Sequence, residues 1–90
     1  MQQQNKNIKI FRKAVGEVLL ELIKSTDKSI SLFAREFDFD RGNLSKITRG
    51  LLSCRLDSIW KLAEASGISF TEFAKRLQDK LGDDFSLIDD

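Results

Sequence analysis

The chain predicts an all-α fold, on three observations. It has no proline and only five glycines in 90 residues. Its apolar residues recur at intervals of three and four, the period of a helix face rather than the alternation of a half-buried strand. Ser29, Asp40 and Ser69 stand just ahead of such runs, where a helix start needs an oxygen to accept its unpaired backbone N–H groups. With 41% apolar residues at this length, the chain bounds one small domain of modest independent stability.

Taken in order, the polar stretch 1–7 reads as a flexible N-terminus. Helix one then runs from about Ile8 to near Ser25, with Ile8, Phe11, Val15, Val18 or Leu19, Leu22 and Ile23 on one stripe. That stripe reads as core, because a single helix this short needs tertiary packing to persist; a coiled-coil partner is the other reading of its spacing. Lys28 and Ser29 precede the second helix, Ser29 as its cap, and the amides of that helix start offer an anchor for a phosphate. Phe33, Ala34 and Phe37 form the second helix's inner face. Phe39 plugs the link, and Asp40 caps a third helix, about 41–49, whose inner face carries Leu44 and Ile47. Gly50 is suited to the left-handed conformation that ends a helix, and Leu51 to Arg55 follow as a loop. Helix four begins near Leu56 or Asp57 and is expected to bury Leu56, Ile59, Trp60, Leu62 and Ala63 before Gly67 ends it and Ile68 plugs the turn. Ser69 to Glu72 reads as a capping box for helix five, with Phe70, Phe73, Ala74 and Leu77 on one face and Leu81 extending it. The domain thus spans 8–81. The tail, 82–90, sets Phe85, Leu87 and Ile88 among four aspartates; packing on helices one and five, dimerisation and docking on another protein are its three readings, with packing or dimerisation preferred.

The stretch from Ile30 to Arg49 carries the most information. Two short helices joined by a tight link cross steeply, and Ala34 is small enough for their crossing point. Arg41, Gly42, Ser45, Lys46 and Arg49 then project away from the core together. That polar outer face is the surface a recognition helix lays in a major groove.

Ala34, Leu44, Ile47 and Gly50, with the run from Ser58 to Phe73 that follows, resemble the lambda-repressor-like, Cro-type (Xre-like) helix-turn-helix family. The resemblance covers roughly Ser25 to Leu81. It is most specific over LSKITRG (Leu44 to Gly50) and LAEASGIS (Leu62 to Ser69). It implies a compact five-helix domain binding double-stranded DNA, commonly as a homodimer on a palindrome and commonly as a repressor. Three positions depart from the pattern. Asp38 stands at the turn position usually held by glycine, where positive φ costs about 1 kcal/mol. Ile30 replaces a glutamine that braces the recognition helix on a phosphate. Gly42 replaces a base-reading serine or glutamine. Base reading therefore falls on Arg41, Asn43, Ser45 and Lys46. By the resemblance, Ser53 and Arg55 approach phosphate, alongside Lys28, Ser29 and Arg49.

Charge is laid out unevenly. Residues 1–55 hold eleven Lys and Arg against six Asp and Glu, a balance of +5, and residues 56–90 hold four against eight, a balance of −4, which together give the chain's net +1. The basic half contains the motif, as a phosphate-facing surface requires. With no histidine, one cysteine and no Gly-rich phosphate loop, the chain offers no triad, zinc site or cofactor cradle, so no enzyme and no metal or cofactor is expected. No signal-peptide-like run and no apolar stretch of about 18 residues appears, which reads as a cytoplasmic, nucleoid-associated protein without a membrane contact. Cys54 reads as a small half-buried loop residue; a redox-sensing thiol or an intermolecular disulfide is its other reading, and Arg55 beside it would lower its pKa. The alternative to a DNA-binding regulator is a protein-interaction module, an antitoxin or adaptor docking through helix one or the tail.

Overall fold

The computed structural model describes residues 6–88. It is all-helical: α1 (Lys6–Ser25), α2 (Ile30–Glu36), α3 (Arg41–Thr48), α4 (Leu56–Ala65) and α5 (Phe70–Leu81), with no strand among the described residues. Of the N-terminal stretch expected to be flexible, 1–5 lies outside the described residues, while Lys6 and Asn7 are already helical, so α1 starts two residues before Ile8. Asp89 and Asp90 of the tail also lie outside them.

Helix α1 is the longest and the hub, packing against α3, α4 and α5. Its stripe Val15, Val18, Leu19, Leu22 and Ile23 is fully buried. Phe33, Ala34, Leu44, Ile59, Leu62, Ala63 and Phe73 complete a single core from the other four helices. Each large aliphatic or aromatic side chain taken wholly out of water contributes about 1.5–3 kcal/mol, which holds helices too short to persist alone. Lys80 adds an exposed tie between α5 and α1 through Glu21 at 3.2 Å and Glu17 at 3.7 Å.

The caps follow the local chemistry. Ser29 Oγ accepts from Leu32 N at 3.1 Å, Asp40 Oδ1 from Asn43 N at 2.8 Å, and Ser69 Oγ from Glu72 N at 3.0 Å. The expected capping box at α5 is only half made, because the Glu72 carboxylate accepts from Arg76 Nε at 2.9 Å. At the end of α3, Gly50 takes φ 77°. Its N–H donates to Ile47 O at 3.0 Å and that of Leu51 donates to Lys46 O at 2.9 Å, a Schellman closure that needs the left-handed conformation. The α2–α3 link closes on Asp38 at φ 62°, with Phe39 N–H donating to Ala34 O at 2.8 Å. Phe37 and Phe39 then lie against Phe33, with ring centroids 4.8 and 6.5 Å away.

Ala34 is buried where α2 meets α3, and a second close approach joins α1 to α3. Gly16 of α1 is buried under the end of α3, where a Cβ would stand 2.5 Å from Ile47 O and 2.8 Å from Thr48 O. One expectation for α4 is corrected. Leu56 and Trp60, placed on the buried side of α4, are 66% and 52% exposed. Apolar residues cover so wide an arc of α4 that the core takes only the half bearing Ile59, Leu62 and Ala63, and Trp60 instead stacks on Phe70 at 5.2 Å. On α5 only Phe73 is fully buried, Phe70 and Leu77 are half-buried, and Ala74 is exposed.

After Gly82 the tail turns back over α1. Phe85 stacks on Phe11 at 6.2 Å, and Asn7 Nδ2 donates to Ser86 O at 2.7 Å. Phe85 and Leu87 border an apolar groove of about 430 Å³ shared with Phe11, Phe70, Leu77 and Leu81. Among the described residues no helix is long and apolar enough to cross a membrane.

Candidate nucleic-acid interface

Helix α3 buries Leu44 and Thr48, so its opposite face is committed to solvent. The cap at Asp40 and the Schellman closure at Gly50 fix both of its ends, and α2 crosses beside it. Between the start of α2 and the outer face of α3 lies an open groove of about 470 Å³ lined by Ser29, Ile30, Ser31, Arg41, Gly42, Ser45, Lys46 and Arg49.

The groove's chemistry is one-sided. Arg41, Lys46 and Arg49 contribute three cations, no carboxylate lines it, and none of the three is in an ion pair among the described residues. Unpaired cations converging on a concave surface raise the local concentration of anions. Arg49 Nε donates to Ser45 O at 3.3 Å, which holds the guanidinium against the end of the helix. The Ser45 hydroxyl remains available to donate. Gly42 leaves part of the floor open, and a Cβ there would meet only Asp40 Oδ1 at 3.3 Å.

The nine residues assigned to binding do not all meet there. Ser29, Arg41, Ser45, Lys46 and Arg49 share the groove, with the Ser29 hydroxyl engaged in capping. Asn43, Ser53 and Arg55 line a separate groove on the other flank of α3, together with Asp38 and Asp40. Two steps beyond Arg41, Asn43 falls about 200° around the helix, so one groove cannot hold both. Lys28 turns aside: its ammonium pairs with Glu36 and lies 5.2 Å from the centre of the Phe37 ring. Arg55 pairs with Asp57 at 3.1 Å, both side chains largely exposed, a contact too weakly held to withhold the guanidinium from a stronger anion.

Two lining or supporting residues escaped the sequence reading. Ser31 lines the groove; its position two residues after the Ser29 cap, away from the Phe33–Ala34 face, was the available signal. Arg12 of α1 donates from Nε to Ser53 Oγ at 3.0 Å and so positions the loop after α3, a contact 41 residues away in sequence that no local pattern marks.

Cys54 is half-buried, and the expected effect of Arg55 on it is reversed. Burial first, and the Asp57 carboxylate second, push the thiol up from 9.0 to about 11. The Arg55 guanidinium is directed to Asp57 rather than to the sulfur.

Set against family models, curated proteins and solved structures, the chain matches none, so the function of this groove is argued from its own residues and geometry.

Proposed function

We propose that the chain is a sequence-specific double-stranded DNA-binding regulator, a repressor by its resemblance, acting as a homodimer that inserts the outer face of α3 in the major groove. The carrying observation is the groove between α2 and α3, where Arg41, Lys46 and Arg49 converge without a carboxylate or an ion pair among the described residues. Arg41 stands at the first position of α3, directly after its cap, which is where a recognition helix brings side chains to base edges. Its planar fork suits the O6 and N7 acceptors of guanine, Lys46 suits either acceptor singly, and Ser45 donates or accepts. Ile30, beside the open floor at Gly42, supplies an apolar surface fit for a thymine methyl. Arg49, at the end of α3, suits a backbone phosphate. Asn43, Ser53 and Arg55 belong to the neighbouring flank and add contacts there only if the duplex spreads across both sides of α3.

The test is selection of bound duplexes from a random library at near-physiological salt, with wild type and Arg41→Ala side by side. The expected result is enrichment of a palindrome with half-sites about one helical turn apart. Arg41→Ala should cost about 1–3 kcal/mol per half-site and relax preference at one base position. If both Arg41→Ala and Lys46→Ala retain wild-type affinity and preference, α3 is not the reading surface. Absence of any enrichment overturns the DNA reading and favours the protein-partner alternative.

A further inference from the structure

Exposed large apolar residues are concentrated beyond the end of α3, at Leu51, Leu52, Leu56 and Trp60. On α4 they are arranged in register with charge. Leu56 and Trp60 form one row with a spacing of four, and Asp57 and Lys61 form the adjoining row with the same spacing, so each row's members are neighbours on the helix surface. These four and Glu64 line a single shallow surface.

We propose that this face of α4 is where two copies of the chain pair. In a two-fold interface residue i meets j and j meets i, so the surface must be complementary to itself reversed. Two antiparallel α4 helices, with the axis at the level of Ser58 and Ile59, satisfy this. Leu56 of each copy lies against Trp60 of the other, and Asp57 of each lies against Lys61 of the other. No like-charged pair is brought together. Lys61, whose ammonium lies 4.8 Å from the centre of its own Phe39 ring, is held on this side of the molecule. The exposed Arg55–Asp57 pair at 3.1 Å is readily exchanged for contacts across the interface. Two ten-residue helices meeting on one face make a small interface of the weak, transient class, so the dimer forms with rising concentration. The inference deepens the proposed regulator by naming the surface that joins its two readers, and rests on that reading only for its use on DNA.

Sedimentation equilibrium of the full chain across a concentration series, without DNA, tests it. Wild type should pass from monomer to dimer below about 1 mM. Trp60→Glu should weaken the dimer by about tenfold or more. Asp57→Lys removes an acidic residue from the first turn of α4 and its contacts with Ser58 N and Arg55, so it is compared well below its own melting temperature, where it should weaken the dimer by a similar factor, through opposed lysines. Asp57→Lys combined with Lys61→Asp restores the alternation and should recover the wild-type constant to within a few-fold. A wild type that stays monomeric overturns the proposal, as does a dimer indifferent to Trp60→Glu and Asp57→Lys, or a double exchange no tighter than Asp57→Lys alone. The duplex selection reads α3 instead, so dimerisation without enrichment overturns the DNA reading and leaves the α4 interface standing.

Discussion

Cys54 sits in the loop after α3 with its thiol pushed up from 9.0 to about 11 by burial and by the Asp57 carboxylate. Only the thiolate attacks an alkylating agent or a disulfide, so at neutral pH this thiol should react about 100-fold more slowly than an ordinary cysteine. Iodoacetamide labelling followed by mass spectrometry should find it slow in the folded chain and fast in urea; equally fast labelling in both would refute the protected environment. The same shift has a pH consequence. The folded chain keeps a proton that the unfolded chain releases, so Cys54 supports folding below pH 9, and that support is lost as pH rises from 9 to about 11. Sequence proximity pointed the other way, because Arg55 is the neighbour in the chain while Asp57 receives its guanidinium in space. Asp38 shows the reverse relation. By the resemblance it stands at a turn position usually held by glycine, where a positive φ falls to an aspartate. It adopts φ 62°, tolerated because a short polar side chain visits that region more readily than most.

Helix ends and periods were the most legible level, since a cap and a left-handed terminator are local chemistry: Ser29, Asp40, Ser69 and Gly50 each stand where their residue types require. Which arc of a helix faces inward was less legible, as Leu56 and Trp60 demonstrate. A helix crossing between elements distant in sequence was least legible of all. Ala34 marks the α2–α3 contact, where it is buried, but nothing local marks the α1–α3 approach at Gly16, a glycine inside α1 that no turn or cap explains until the carbonyls of Ile47 and Thr48 are seen above it. Two effects compete at that position. Gly16→Ala gains about 1 kcal/mol of helix propensity, whereas a methyl forced to within 2.5 Å of a carbonyl oxygen obliges two packed backbones to separate, a class of overpacking that costs about 1–3 kcal/mol. The backbone atoms cannot rotate aside, so the steric term wins. Gly16→Ala should lower the urea midpoint at unchanged m, and a variant more stable than wild type would show that α1 and α3 are not in contact there. Because α3 carries the proposed reading surface, the same variant should also weaken duplex binding.

At the scale of the molecule, a net charge of +1 is too small to draw the chain onto DNA without regard to sequence, so the proposed binding rests on where the cations stand. Among the described residues, three of them gather in one groove free of carboxylates, while the tail's Phe85 and Leu87 lie at an apolar groove that shares no lining residue with it. This arrangement separates two roles that salt titration resolves. A cation on a phosphate releases counterions and steepens the fall of log K with log salt by about 0.9 per contact, whereas a cation on a base edge sets preference. Arg49 lies at the end of α3 with its guanidinium braced on Ser45 O, and Arg41 lies at the beginning. Arg49→Ala should therefore flatten the slope by about 1 per protomer and lower affinity for all sequences alike. Arg41→Ala should alter the preferred sequence while changing the slope less. Fluorescence anisotropy with the selected duplex and a scrambled one, across a range of salt concentrations, measures both quantities at once. If Arg49→Ala instead changes the preferred base and leaves the slope untouched, the two arginines exchange roles, and the end of α3, rather than its beginning, is what enters the groove.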